Sequence, residues 1–122
     1  MDIYREIILD HYKNPRNFGH LKRPTAKVEE GNVTCGDRII MEINVKKNTL
    51  ADIRFSGEGC AISQSTASML TEKVKGMSLS AVKKLDAKYI FSMLGTTLTP
   101  SRTKCALLSL EVLQKAVAKI HP

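Results

Sequence analysis

The apolar residues of this chain change their spacing once, close to residue 60. Before that point they alternate with polar residues, which is the pattern of a strand with one buried face. From Ala61 onward they recur about every 3.6 residues, which is the pattern of a helix with one buried face. A chain with strands first and helices afterwards is typical of an α+β domain, in which helices pack on one face of an antiparallel sheet.

Three strands are predicted. The patterns at 38–46 and 50–56 are strong and flank the turn Lys46–Thr49, whereas the pattern at 25–30 is weaker. Short connections between successive strands favour antiparallel pairing, so we expect one three-stranded antiparallel sheet. The apolar residues expected on its core face in the two stronger strands are Ile39, Met41, Ile43 and Val45, followed by Ala51, Ile53 and Phe55.

The predicted helices begin and end at residues that favour helix ends. A leading N-terminal helix is expected at about residues 2–12, because Ile3, Ile7 and Ile8 share one helical face and a segment with proline and glycine follows. A long C-terminal helix is expected from Thr99 to about Lys119. The helix that begins near Ala61 is expected to end near Gly76. Two shorter helices are expected to follow, with Ser78 and Asp86 as their N-caps, and the second is expected to end at Gly95.

Composition narrows the class of protein. With 122 residues we expect a single domain spanning residues 1–122. No apolar run approaches the length that crosses a bilayer, and the first residues lack a signal-peptide core, so we expect a cytoplasmic protein with no membrane partner. The net charge of +7 could indicate nucleic-acid binding, but an aromatic content of 5% offers few stacking platforms. An acidic protein surface is the simpler partner.

Three cysteines and one aspartate carry the clearest chemical signal. An odd number of cysteines, in a compartment that keeps thiols reduced, disfavours disulfides and favours metal or thiol chemistry. Cys35 and Asp37 flank Gly36, which permits a sharp turn between two donors. Cys60 ends a glycine-rich run just before a predicted helix, where backbone amides favour a thiolate. Cys105 lies in the first turns of the last helix, although it also fits the apolar stripe of that helix.

Together these residues supply three sulfurs and one carboxylate, the four donors that a soft metal ion or an iron–sulfur cluster needs. The carboxylate is the hard and easily displaced member of such a set. We therefore interpret the four residues as a site for transient cargo. For any one cysteine taken alone, burial as a small apolar side chain is an equally good explanation.

Histidines and serines do not predict a second centre. His11 ends the first helix, His20 lies in a turn-rich loop and His121 is next to the terminus, so all three are expected at the surface. The serines that follow Cys60 have no general base placed near them by motif, and a serine hydrolase therefore has little support.

Four ordered runs of the chain are distinctive: DHYKNPRN at 10–17, CGD at 35–37, GEGCAIS at 57–63 and RTKCA at 102–106. Through these runs the sequence resembles the U-type iron–sulfur assembly proteins, a family that includes IscU, SufU and the N-terminal domain of NifU. The resemblance implies a scaffold on which iron and sulfur from a cysteine desulfurase form a 2Fe–2S cluster, which then passes to recipient apoproteins. By motif position it implies Cys35, Asp37, Cys60 and Cys105 as ligands of the cluster or of iron. A cluster could be held within one chain or between two chains of a homo-oligomer.

The chain departs from both branches of this family. Lys104 stands where the IscU branch has a histidine, and residues 98–102 lack the chaperone-binding Leu-Pro-Pro-Val-Lys run of that branch. SufU-like proteins typically carry an insertion of about twenty residues between the second and third cysteines, and the segment between Cys60 and Cys105 is too short to contain it.

Resemblance to the SufU branch implies an alternative function. Those proteins bind zinc through three cysteines and an aspartate and accept persulfide sulfur from a cysteine desulfurase as sulfurtransferases. Zn²⁺ suits the same donor set. Cys35 and Cys105 are both candidate sulfur acceptors, and Asp37 is the candidate labile ligand whose departure would allow transfer.

Overall fold

The three strands form one antiparallel sheet in the order β1, β2, β3. The structure is a computed structural model, and it describes residues 3–32, 36–96 and 98–120. The strands span Ala26–Asn32 (β1), Asp37–Lys46 (β2) and Thr49–Glu58 (β3). All three lie where the alternating patterns predict them, and the α+β class is confirmed.

The described part of the chain contains five helices. They span Ile3–Lys13 (α1), Ala61–Val74 (α2), Leu79–Lys83 (α3), Ala87–Leu94 (α4) and Pro100–Ala118 (α5). α5 packs against β1 and β2, α2 packs against β3 and α5, and α1 lies on α2. The side chains of Ser78 and Asp86 accept hydrogen bonds from backbone amides at the starts of α3 and α4, as predicted. The last helix begins where it was predicted, and the Thr99 side chain accepts a hydrogen bond from the Arg102 amide at the start of α5.

The core lies between the sheet and the two long helices. Its fully buried side chains include Ile39, Met41 and Ile43 from β2 and Ile53 and Phe55 from β3. The facing helices contribute Leu70 and Val74 from α2 and Val112, Leu113 and Val117 from α5. None of the helices in the described ranges is long and apolar enough to cross a membrane.

The predicted core face of β3 is wrong at its first residue. Val45 pairs with Leu50 and Asn44 pairs with Asp52, so Ala51 is an extra residue in the register. Such a bulge interrupts the alternation, so that the residues on its two sides no longer follow one continuous in-and-out pattern. Leu50 is therefore fully buried, whereas Ala51 is only half-buried. A strict alternation counted back from Phe55 cannot reveal the insertion, because the partner strand determines the register.

Polar groups join α1 to α2, and this contradicts the surface position predicted for His11. Only 7% of His11 is exposed, and its Nδ1 lies 2.7 Å from the Ser68 hydroxyl. That hydroxyl accepts the backbone N–H of Arg16 at 2.8 Å, so its own hydrogen is available to a neutral imidazole. Next to this pair, Ser65 donates to the Ile8 carbonyl at 2.7 Å. His11 is buried because the face of α2 that meets α1 is polar and supplies partners for it.

The other two histidines have different surroundings. The ring of His20 is exposed, as expected, and its Nδ1 lies 2.5 Å from a carboxylate oxygen of the buried Glu42. Glu42 also accepts the backbone N–H of Leu21 at 3.2 Å. The connection between α1 and β1 is thereby tied to the sheet. His121 lies outside the described residues.

The burial of His11 predicts a pH-dependent stability. Burial lowers the pKa of His11 below its usual value, the Arg16 guanidinium lowers it further, and Glu72 and Asp10 partly oppose the shift. The unfolded chain therefore takes up this proton first, so the free energy of unfolding should fall as the pH drops below about 6.5. Urea unfolding of the metal-free protein between pH 7 and pH 5 measures the slope, which for one proton is at most about 1.4 kcal/mol per pH unit.

The matched variant is His11→Asn, whose side-chain oxygen can still accept from Ser68 but does not titrate. We expect it to lose the part of the slope that comes from His11. Equal slopes in the two proteins would show that His11 is not the group responsible.

Candidate metal centre

Three side chains from distant parts of the chain converge at one end of the sheet. The potential ligand atoms of Asp37, Cys60 and Cys105 all lie within 4.8 Å of one another. Asp37 is the first residue of β2, Cys60 immediately precedes α2, and Cys105 lies in the second turn of α5. In the described part of the chain, no other group of three or more His, Cys, Asp or Glu residues is placed to hold a metal ion. The fourth predicted ligand, Cys35, lies outside the described residues.

The turn into β2 and one hydrogen bond place the Asp37 carboxylate. Gly36 has φ +68°, a left-handed conformation that glycine adopts without strain. Arg38 pairs with Glu58 in the sheet, so Asp37 lies opposite the residues that follow β3. Oδ1 of Asp37 accepts the backbone N–H of Cys60 at 2.9 Å. The carboxylate is therefore anchored to the start of α2.

The second oxygen of this carboxylate has an unusual environment. Asp37 is only 3% exposed, and its Oδ2 is buried with no hydrogen-bond partner among the described residues. A buried carboxylate oxygen without a partner is unfavourable, because the charge has lost its water and gained nothing in return. A cation bound at Oδ2 would remove that penalty. The orphaned oxygen therefore fits a ligand position.

Gly59 is required for the carboxylate to lie where it does. A Cβ at this position would collide with Oδ1 of Asp37 and would come within 2.5 Å of the Ser63 hydroxyl. Its backbone is not in the left-handed region, so the constraint is the close approach of neighbours rather than the turn. Ser63 is fully buried and donates to the Cys60 carbonyl at 3.1 Å.

The sequence pattern presents the serines after Cys60 only as possible nucleophiles and does not reveal this packing role of Ser63. The available signal was a hydroxyl in the first turn of a helix, three residues after its N-cap.

The two described cysteines differ in access. Cys60 is half-buried, whereas Cys105 is 3% exposed and its Sγ lies 3.5 Å from the Ser101 carbonyl. Neither takes part in a disulfide. Cys105 thus belongs both to the buried stripe of α5 and to the cluster, as its sequence position allows. Cys60 is the more accessible of the two sulfurs.

The donor set fits a soft metal ion or an iron–sulfur cluster. Thiolates suit zinc and iron, and bonds of about 2.0–2.3 Å place two ligands of one tetrahedral ion about 3.3–3.8 Å apart. The three described donors lie within 4.8 Å of one another, so they would have to draw closer, by roughly 1 Å for the widest pair, to share an ion. His11 contacts Ser68 and His20 contacts Glu42, so neither supplies an imidazole to this cluster.

Comparison with known proteins places this geometry in a family. Residues 3–121 match the family described as the NifU-like N terminal domain. The zinc-dependent sulfurtransferase SufU of Bacillus subtilis is 39% identical over 134 aligned positions, which cover 96% of this chain and 90% of SufU. The iron–sulfur cluster assembly scaffold protein IscU of Aquifex aeolicus is 38% identical over 116 positions, which cover 93% of this chain and 73% of IscU. The iron–sulfur cluster assembly scaffold protein IscU of Haemophilus influenzae is 34% identical, and the alignment covers 94% of this chain and 93% of that protein.

Solved structures show the same fold. The crystal structure of a hypothetical protein superposes with a TM-score of 0.84 at 29% identity and covers 96% of this chain and 98% of its own. The structure of the protein called FiSufU, from Fervidobacterium islandicum, superposes with a TM-score of 0.77 at 23% identity, and the match covers 92% of this chain and 94% of that one. Because the family match spans almost the whole sequence and the relatives align along their length, this chain belongs to the family of the NifU-like N-terminal domain.

Proposed function

We propose that residues 1–122 form one domain that acts as an iron–sulfur cluster assembly scaffold. In this proposal the protein receives sulfur from a cysteine desulfurase, binds iron, builds a transient 2Fe–2S cluster and passes it to recipient apoproteins. Cys35, Asp37, Cys60 and Cys105 are the proposed ligands. The observation that carries the proposal is that Asp37 has a carboxylate oxygen within 4.8 Å of the two described sulfurs, while its Oδ2 is buried with no hydrogen-bond partner among the described residues.

The mixed donor set suits temporary binding. A permanent site gains from four matched soft ligands, whereas a carboxylate on a soft centre is the ligand that leaves most easily. When Asp37 releases the metal, its carboxylate would stay close by, because its Oδ1 accepts a hydrogen bond from the Cys60 amide. We therefore propose Asp37 as the labile ligand that opens the site for transfer.

Sulfur uptake requires a thiolate of this chain. In the proposed step, the thiolate attacks the outer sulfur of the desulfurase persulfide, so that a new S–S bond forms as the old one breaks. The desulfurase cysteine leaves as a thiolate, and no external oxidant is needed. Cys35 and Cys105 remain the proposed acceptors. Since Cys105 is 3% exposed, it needs a local opening before it can react.

A zinc-dependent sulfurtransferase is the second candidate function. Two observations favour it: Lys104 replaces a possible imidazole ligand, and the relative that is 39% identical carries this name. A tetrahedral set of three sulfurs and one oxygen could hold Zn²⁺, which would act there as a Lewis acid. However, the alignment with SufU is longer than this chain, so part of SufU has no counterpart here.

Anaerobic reconstitution separates the two functions. The protein is mixed with iron, L-cysteine, a cysteine desulfurase and dithiothreitol, which reduces persulfide sulfur to sulfide. For a scaffold we expect visible sulfur-to-iron charge-transfer bands and about two irons and two sulfides per cluster. The matched control is the Cys60→Ser variant, which keeps the size of the side chain but removes one proposed sulfur ligand. We expect its bands to be weak or absent.

The opposite result would favour the sulfurtransferase. In that case the purified protein would contain one zinc per chain, resist cluster formation and raise desulfurase turnover. Equal bands in the wild type and the Cys60→Ser variant would contradict both functions at this site.

The role of Asp37 predicts a slower release of the cluster when the carboxylate is removed. We expect Asp37→Ala to hold its cluster several-fold longer than the wild type, because the ligand that leaves first is absent. The decay of the visible bands and transfer to an apo-ferredoxin measure this lifetime. Glu58→Ala is the control, since it removes an exposed negative charge two residues from Cys60 without removing a proposed ligand. Faster loss of the cluster from Asp37→Ala than from the wild type would refute the labile role.

The close packing at Gly59 predicts a stability cost that depends on Asp37. Because a methyl group there collides with the carboxylate, Gly59→Ala should destabilise the metal-free protein by about 1–3 kcal/mol. The cost should be smaller in the Asp37→Ala background, where the nearest obstacle is gone. Urea unfolding of the four proteins of this double-mutant cycle gives the coupling. Additive costs would mean that Gly59 does not hold Asp37 in place.

A further inference from the structure

The end of the fold opposite the candidate metal centre carries a concentration of lysines. β2 begins in the centre at Asp37 and its 10 residues end at Lys46, which places the following turn about 30 Å away. α2 and α5 also begin beside the centre and end at the far end. Six exposed lysines, the distal lysine cluster, stand on the elements that meet there: Lys46 and Lys47 at the turn, Lys75 after α2, Lys83 and Lys84 at the end of α3, and Lys119 after α5.

Backbone hydrogen bonds hold these elements in fixed positions. The Asn48 carbonyl in the turn accepts the N–H of Leu79, the first residue of α3, at 2.9 Å. Beside it, the Leu50 carbonyl accepts the N–H of Gly76 at 2.8 Å, and the Leu50 N–H donates to the Met77 carbonyl at 2.8 Å. The β2–β3 turn, the end of α2 and the start of α3 are therefore joined, and a partner would meet a preformed surface.

A cleft opens between these elements. It has a volume of about 280 Å³ and is lined by Asn48, Ser78, Leu79, Ser80, Lys83 and Ile120. Because Asn48 belongs to the turn, Lys83 to α3 and Ile120 to the chain after α5, three of the elements that carry the cluster border one surface. Leu79 and Ile120 give the cleft a small apolar area within a polar rim.

Four lysines of the cluster have no neutralising partner. Among the described residues, no ion pair involves Lys46, Lys47, Lys83 or Lys84. Lys75 pairs with Asp52 at 3.1 Å, but that carboxylate also binds Arg54 at 2.7 Å. Asp86, the acid that follows α3, accepts the Tyr89 N–H as an N-cap. The cluster therefore keeps an excess of positive charge, which attracts a negatively charged partner.

An acidic protein fits this surface better than a nucleic acid does. Of the described residues that carry the cluster or line the cleft, none is aromatic, so bases have nothing on which to stack. All cations of the cluster are lysines, whereas arginine is the residue whose planar guanidinium binds phosphate through two parallel hydrogen bonds. Lysine side chains are flexible and present single charges, so they can adapt to the scattered carboxylates of an acidic protein.

We propose that the distal lysine cluster binds an acidic segment of a partner protein. Carboxylates of the segment pair with the four lysines that lack ion pairs, and one aliphatic side chain enters the cleft beside Leu79 and Ile120. The proposal depends on neither candidate function, since no ligand of the metal centre takes part. Because about 30 Å separate the turn from the centre, the segment can stay bound while the centre exchanges its cargo.

The first experiment measures binding of a fluorescein-labelled peptide, made of glutamates and a few leucines, to the full chain by fluorescence anisotropy. Lys46→Glu and Lys83→Glu should each raise the Kd about fivefold at physiological salt, and the double variant should raise it by more than about tenfold. The matched control is Arg5→Glu, which makes the same change of charge at an exposed residue beside the starts of α2 and α5. We expect it to bind within about twofold of the wild type, because salt limits the reach of a surface charge to about 8 Å.

Several outcomes would refute the proposal. The peptide could fail to bind the wild type, or bind the wild type and the double variant equally well. Equal weakening by Arg5→Glu would mean that the peptide responds only to the net charge of the molecule. Thermal unfolding is measured for every variant, and if one lysine variant does not fold, the other carries the test.

A single-stranded oligonucleotide with the same net charge as the peptide is the competing ligand. We expect the peptide to bind more tightly, because the surface offers no stacking platform. If the oligonucleotide binds more tightly and loses affinity in the same lysine variants, the surface is a nucleic-acid site and the assignment to an acidic protein is wrong.

A second experiment locates the bound peptide. In ¹⁵N-labelled protein, we expect the peptide to shift the amide resonances of residues 46–49 and 78–84 and to leave those of residues 61–65 unchanged. Shifts confined to the start of α2 would place the peptide at the other end of the fold and overturn the proposal. Sedimentation at low salt without peptide tests a second copy of this chain as the occupant. Dimers that the double variant abolishes would identify a self-association surface instead.

Discussion

The hydrogen bond between the Cys60 amide and the Asp37 carboxylate organises the candidate metal centre. It joins the start of β2 to the start of α2, two points that are 23 residues apart in the sequence. The other carboxylate oxygen is buried with no hydrogen-bond partner among the described residues, and the carboxylate lies beside the two described sulfurs. The bond can form only because Gly59 has no side chain and lets the strand end and the helix start approach closely. Packing of α5 on β1 and β2 then brings Cys105 to the same place.

The chemistry proposed for the centre follows from the energetic cost of that arrangement. A buried carboxylate oxygen without a partner destabilises the fold, and proteins retain such groups where they serve a function. A cation bound to this oxygen would offset the free-energy cost of burying it. When the carboxylate leaves the cation, that cost returns. The proposed centre would therefore combine strong sulfur ligands with one oxygen ligand that can exchange.

Much of the fold was predictable because burial imposes a simple period on strands and helices. The alternation in β2, the helical period after Ala61 and the caps at Ser78, Asp86 and Thr99 are local signals, and the structure agrees with them. The errors occur where a distant partner decides. Ala51 does not lie on the core face, where it was predicted, because pairing with β2 makes it an extra residue in β3. His11 is buried because Ser68, 57 residues away, supplies a hydrogen-bond partner.

The sequence by itself determined the fold class and the identity of the candidate donors, because residue type dictates which atoms can bind a soft metal and hydrophobic period dictates which segments are strands or helices. The tertiary structure alone decided that Asp37, Cys60 and Cys105 meet. It also decided that one oxygen of Asp37 accepts a hydrogen bond while the other is buried without a partner among the described residues. The close packing of Gly59 and Ser63 beside the carboxylate likewise depends on the tertiary structure. Distances between residues far apart in the chain depend on how helices pack on the sheet, and no local pattern records them.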